Sequence, residues 1–249
     1  MTEPMVITRV SNACVLLEFG EDAVLTDPWF QAHWGFTETP GLSVAELPRL
    51  AAIVGSHTVF DHWNIDALRD YPYRATTPVL VATARMLDKA HAAGFDLAEL
   101  VQWGATRRLS ERLSVEVVEG QWSGSLRVNS YVFASPRARV FFGGEAHALE
   151  PLRRYRETHA PVDVFLGPCN GIRLLGRQLV MSAEESVEAA RLLGATTMVP
   201  IHYAHRRIGP LASPRGRGED VVRAAGDGIE VVCLEPGVHW AWTAAAAGS

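Results

Sequence analysis

The chain has 249 residues, 48% of them hydrophobic and 20% charged, with a net charge of −5. That length and apolar share suit one large α/β core spanning 1–249, and with an acidic net charge, Lys89 the only lysine and no basic face evident, no nucleic-acid partner is expected. No apolar run reaches the roughly 18 to 20 residues that a bilayer span needs, and Met1-Thr2-Glu3-Pro4 offers neither a basic region nor an apolar signal core, so a cytoplasmic protein without membrane contact is expected.

Strand-type runs open the chain at Val6 to Val10, Cys14 to Phe19 and Ala23 to Thr26, the last two joined through Gly20-Glu21-Asp22 as a hairpin. Further apolar runs follow at Leu50 to Gly55, Pro78 to Ala82, Ser114 to Val118, Asn129 to Ala134, Arg139 to Phe142, Val162 to Leu166, Thr197 to Ile201 and Ile229 to Leu234. Between them the spacing predicts helices over Thr83 to Ala93, Glu150 to Thr158, Ala183 to Leu193 behind the cap Ser182, and Gly218 to Ala225. Ala146-His147 reads as the start of the second of these. The tail from Thr243 to Ser249 has no apolar periodicity and reads as frayed. Cys14, Cys169 and Cys233 are odd in number and far apart, which fits small buried side chains better than a disulfide framework.

Two strand-rich halves, each followed by helices, fit a four-layer αββα sandwich. A doubly wound parallel sheet competes less well, because hairpins open the chain and no Gly-rich strand-to-helix turn is present for phosphate.

The run Ile53-Val54-Gly55 ends in Ser56-His57-Thr58-Val59-Phe60-Asp61-His62-Trp63, a cluster of metal-ligand residue types directly after an apolar strand. With one histidine missing, it resembles the His-x-His-x-Asp-His signature of the metallo-β-lactamase superfamily. The resemblance continues in order from Val6 to about His202 and is closest to the branch that includes ascorbate-phosphate lactonases and phosphodiesterase-like hydrolases. Asn12-Ala13-Cys14 stands at its opening strand pair and Thr26-Asp27-Pro28 at its Thr-Asp-Pro turn. Gln121-Trp122-Ser123 stands at its third histidine, Gly143-Gly144-Glu145 at its bridging carboxylate, and Pro200-Ile201-His202-Tyr203 at its last histidine.

Carried over residue by residue, the resemblance implies a degenerate first metal site, since of His57, Val59 and Gln121 only His57 keeps a ligating ring. The second site keeps Asp61, His62, Glu145 and His202, which implies one divalent metal per chain, zinc first, with iron or manganese as alternatives. Asp27 is expected to hold a ligating imidazole from behind. Asp61, Glu145, His57 and Gln121 are the candidate catalytic groups, Gln121 by bonding a water or substrate oxygen. His147 could add a ligand or a general acid. His33, His91, His159, His205 and His239 carry no assignment.

Aromatic residues crowd the same segments: Trp29, Phe30, Trp34, Phe60, Trp63, Trp122 and Tyr203. About half read as core, and the rest as walls of a pocket for a small apolar or aromatic substrate. Arg206-Arg207 and Arg215-Gly216-Arg217 read as a solvated loop, with contact to an anionic substrate as the lesser alternative. Three functions remain open: a metal-dependent hydrolase of an ester, lactone or related bond, a non-haem iron oxygenase or lyase, and a metal-free binding module. The partner is a small molecule, and a homo-oligomer stays open.

Overall fold

The structure is a computed structural model that describes residues 4–123, 126–207 and 212–243, with the side chains of 122, 123 and 212 outside the description. Positions 244–249 of the expected tail fall outside the described residues.

Strands β1 (Met5–Ser11), β2 (Cys14–Phe19), β3 (Asp22–Thr26), β4 (Ala52–Val54) and β5 (Val79–Val81) lead to helix α1 (Ala84–Ala92) and β6 (Ala98–Leu100). Strands β7 (Thr106–Arg108), β8 (Ser114–Ser123), β9 (Leu126–Ala134) and β10 (Arg139–Phe142) precede α2 (Glu150–Thr158) and β11 (Val164–Pro168). The small strands β12 (Arg173–Leu174) and β13 (Arg177–Gln178), helix α3 (Ala183–Leu193), β14 (Thr197–Ile201), β15 (Ala212–Ser213), α4 (Gly218–Ala225), β16 (Glu230–Val231) and β17 (His239–Trp242) complete the chain.

Two seven-stranded sheets carry the fold, in the orders β17-β1-β2-β3-β4-β5-β6 and β16-β14-β11-β10-β9-β8-β7. Each runs antiparallel through its hairpins, and becomes parallel from β3 to β6 in one sheet and from β10 through β11 and β14 to β16 in the other.

Period-two alternation explains the layering. Val15, Leu17, Val24, Val54 and Leu80 of one sheet meet Val117, Phe133, Val140, Leu166 and Val199 of the other in a shared inner core. Their neighbours Leu16, Leu25, Ile53 and Val79 face the opposite way, packing with Met86 and Ala90 of α1. Val132, Phe141, Phe165 and Met198 likewise pack outward against Leu152 of α2, Val187 of α3 and Val221 of α4. Strands buried on both faces must be apolar throughout, which is why they read as continuous runs rather than alternating ones. The result is the αββα sandwich expected from the sequence.

Some local readings change. Helix α2 starts at Glu150, so Ala146-His147 lies in the loop before it. The run at Ile229 to Leu234 contracts to the two residues of β16. Cys14 and Cys169 are buried free thiols, as expected, but Cys233 is exposed. Among the described residues, no helix is long and apolar enough to cross a membrane.

Candidate metal centre

Parallel strands place the site. Asp27 follows β3, His57 lies three residues past the end of β4, Glu145 three past β10, Asn170 two past β11, and His202 directly follows β14. The carboxyl ends of strands from both sheets thus deliver their first loop residues to one point, where α/β folds bind ligands. Three of the four described non-glycine residues in the left-handed backbone region are at this point, Asn12 (φ 40°), Asp27 (φ 36°) and His202 (φ 59°), a conformation sustained only where surroundings over-determine it.

The polar contacts show what over-determines it. Asp27, fully buried, accepts Ser56 N–H at 2.6 Å, Ser56 Oγ–H at 2.6 Å and His62 Nδ1–H at 2.6 Å. Because Ser56 gives its one hydroxyl proton to Asp27, its oxygen accepts Nδ1–H of His57 at 2.9 Å. His57 and His62 are therefore both held from the rear, which aims each Nε2 inward, that of His57 onto Glu145. On the other side Asn170 Nδ2 lies 3.1 Å from His202 Nδ1 and 3.2 Å from His205 Nδ1. This turns the Nε2 atoms of both rings toward Asp61 Oδ2, at 3.6 and 3.0 Å. Asn12 Nδ2 donates to the same oxygen at 3.1 Å. Asn12 also accepts His202 N–H at 3.1 Å on its carbonyl and donates its own N–H to Glu38, whose carboxylate is gripped by the buried Arg9.

The donor set fits a cation. His62 Nε2 and His202 Nε2 are buried without a hydrogen-bond partner, an arrangement that costs free energy unless something electropositive accepts their lone pairs. Ligating atoms of His62, Glu145 and His202 lie within 4.8 Å of one another, and so do those of Asp61, His202 and His205. Imidazole and carboxylate are the ligands that zinc and iron take.

Without a cation the site is an electrostatic compromise. Burial alone would raise Glu145, but His57, with Nε2 2.7 Å from Oε2, outweighs it and holds the carboxyl at about 2. Burial alone would lower His57, and Glu145 lifts it above its ordinary 6.5. Asp61 falls well below its ordinary value because His62, His202 and His205 overcome its burial. A depressed Glu145 stabilises the fold above its unfolded value of 4.5 and ceases to as pH falls toward 2; a raised His57 stabilises below 6.5 and ceases to as pH rises through its folded value. In the metal-free protein the contribution of this pair to the melting temperature is therefore expected to be greatest between about 4.5 and 6.5, where His205 and His147, lowered by burial, work against it. Glu145→Gln should flatten both limbs; an unchanged pH profile for that variant in a thermal melt would remove the ion pair from the account.

The remaining sequence-derived candidates are scattered. Both amide atoms of Gln121 are taken by backbone, Nε2 donating to Glu145 O at 3.0 Å and Oε1 accepting His147 N–H at 3.0 Å, so it braces the Glu145 loop instead of offering a free amide to substrate. Trp29 and Trp63 are core residues at 2% exposure, and Phe30 packs against the same cluster. Trp34 and Phe60 are exposed at 70% and 53% and remain available as pocket walls. Tyr203 stacks over Arg9 and donates to Leu234 O, and the Trp122 side chain lies outside the description. Val59 contributes its carbonyl, which accepts the N–H groups of His62 and Trp63 and folds the turn that aims His62 inward.

His205, Asn12 and Asn170 went unassigned in the sequence, although His202-x-x-His205 is a spacing that could have signalled a pair. Gly144, at φ +57°, completes the packing: a Cβ there would sit 2.8 Å from Ser56 Cβ, so the loop bearing Glu145 presses directly on the residue that orients His57.

Known proteins resemble this chain in sequence and in fold. An uncharacterized protein of Mycobacterium tuberculosis is 24% identical, covering 93% of this chain and 67% of its own length. A protein of Methanospirillum hungatei named UPF0173 metal-dependent hydrolase is 24% identical over 95% of this chain and 98% of its own. Among solved structures, a protein from Veillonella parvula described as a possible metal-dependent hydrolase superposes with a TM-score of 0.78 at 15% identity, over 96% of this chain and 100% of that one. CmlA, a diiron beta-hydroxylase from Streptomyces venezuelae, superposes with a TM-score of 0.72 at 16% identity over 98% of this chain and 55% of its own. These two likenesses concern the fold. The sequence profile of the Lactamase_B_2 family, the beta-lactamase superfamily domain, matches residues 22–203, a stretch that holds Asp27, His57, Asp61, His62, Glu145 and His202 together, and the chain belongs to that superfamily.

Proposed function

We propose that this protein is a metal-dependent hydrolase that cleaves an ester, lactone or related bond in a small organic substrate, with one divalent metal, zinc first, held by Asp61, His62, Glu145 and His202. The observation that carries the reading is the convergence of the buried, unpartnered Nε2 atoms of His62 and His202 on the Glu145 carboxylate. The M. hungatei relative, similar over nearly its whole length, is named for the same kind of activity.

A divalent metal in such a site supplies Lewis acidity, which polarises a carbonyl and makes water a nucleophile near neutral pH. The protein's own groups supply proton transfer and orientation. Glu145 backs onto His57, and a proton taken up by that pair rests on the imidazole, where the carboxylate stabilises it. Asp61, engaged by Asn12 and His205, is held in one orientation and acts as a fixed negative charge. Trp34 and Phe60 supply exposed aromatic surface for an apolar substrate.

Two histidines and one carboxylate are also the donor count of non-haem iron oxygenases, which supports an oxidative second reading. Elemental analysis of protein purified without chelator, followed by hydrolysis of a panel of aryl esters and lactones, decides between them. Near one zinc per chain with chelator-sensitive hydrolysis is the expected result. Iron with oxygen consumption would favour the second reading, two metals would overturn the single site, and protein without metal or activity would leave a binding module.

A further inference from the structure

The geometry points to a substrate that carries an anionic group, seated on an arginine-lined cavity that opens beside the metal centre. A cavity of about 320 Å³ has His205 on one wall and is bordered by Arg206, Arg207, Arg215 and Arg217. His205 is the member of the site cluster that reaches it, with its Nε2 on Asp61. A larger cavity, about 850 Å³, lies elsewhere, between the β2–β3 hairpin and the loop at Ser135 to Arg137.

The charge balance of the smaller cavity runs against that of the protein. The chain as a whole is at −5, yet four guanidinium groups border this one space. Asp220 is the one carboxylate among the described lining residues, and it already accepts Arg217 N–H at 2.7 Å and pairs with Arg223. Arg206 uses its Nε on Phe36 O at 2.7 Å, leaving the outer guanidinium edge for another acceptor. Among the described residues, no carboxylate pairs with Arg207 or Arg215. Unpaired guanidinium forks around a concave space recognise carboxylate or phosphate.

The cavity is also mechanically tied to the centre. Asn170, whose amide touches both His202 and His205, accepts Arg215 N–H at 2.7 Å and Gly216 N–H at 3.0 Å on its carbonyl. Only glycine permits this approach at position 216, where a Cβ would fall 2.2 Å from Cys169 O. Arg206 and Thr37 border a second space of about 450 Å³ as well, which includes Trp34 and Phe36. A molecule with an apolar body against those aromatics and one anionic end on the arginines matches both cavities. The inference rests on the hydrolase reading only in placing the reacting bond near His205.

Titration calorimetry on the metal-loaded protein tests it with three probes of similar shape: phenylacetate, phenyl phosphate and neutral phenylacetamide. One or both anions are expected to bind about tenfold more tightly than the amide, the difference shrinking as salt is added. The variant Arg207→Gln/Arg215→Gln/Arg217→Gln should abolish that preference while keeping the amide's affinity and the metal content. Its three side chains are exposed, so the fold should tolerate the change. Whichever anion binds more tightly identifies carboxylate or phosphate as the group recognised. Equal binding of all three probes, failure of both anions to bind, or a preference that survives the triple variant because the metal itself holds the anion, would each overturn the inference. Arginine-dependent preference in protein found to lack a metal would sustain it and sink the hydrolase reading.

Discussion

Replacing His62 by alanine is expected to lower metal affinity by more than about a hundredfold, the upper range seen even for groups that only support a ligand. His62 is fully buried, fixed at Nδ1 by Asp27, and presents an unpartnered Nε2 toward Glu145 and His202. The next residue along the turn, Trp63, is buried in the outer core and offers no replacement ligand. Folding should survive, with a loss of about 1–3 kcal/mol from leaving Asp27 short of one donor. Competition against a chromophoric chelator measures the affinity and chemical denaturation the stability. His57→Ala serves as the counterpart and should be milder. A variant pair in which His57→Ala loses the metal and His62→Ala retains it would move the metal to the other side of Glu145.

Asp27→Asn should be the most damaging conservative change in the molecule. The carboxylate accepts three hydrogen bonds at 2.6 Å, two from Ser56 and one from His62, all fully buried. An asparagine has one acceptor oxygen and an NH2 group that must face a donor, so at least one buried donor loses its partner. Removing one member of a buried ion pair or network costs about 3–5 kcal/mol, and losing the group that orients a ligating imidazole costs roughly 10- to 100-fold in metal affinity. Backbone strain would not be the cause, because asparagine is among the residues that best tolerate the positive φ of 36° at this position. Urea denaturation together with metal titration separates the two losses. Near wild-type values for both would show that Ser56 alone orients the histidines.

Much of this fold is legible in the chain because its strands are buried on both faces and announce themselves as unbroken apolar runs, and its four α-helices carry ordinary amphipathic spacing. The shortest elements were not legible. Strands β6, β7, β12, β13 and β15 have two or three residues each, too few to display a period, and they exist because a neighbouring edge offers unpaired backbone groups. Strand β17 pairs with β1 from the far end of the chain, a partnership that no local pattern records.

The same division applies at the centre. His57, Asp61 and His62 occupy one short turn and His202 ends an apolar strand, so residue type and spacing were enough to single them out. Glu145 gained its place from order along the chain, but its pairing with His57 arises only because β4 and β10 belong to different sheets that end at the same edge. Asn12 and Asn170 are polar residues of common kinds in loops, indistinguishable by sequence from solvated ones, and His205 offers only its spacing from His202. Packing the two sheets face to face brings the three onto Asp61 and His202, because convergence of strand ends is a property of the closed sandwich and of no segment within it.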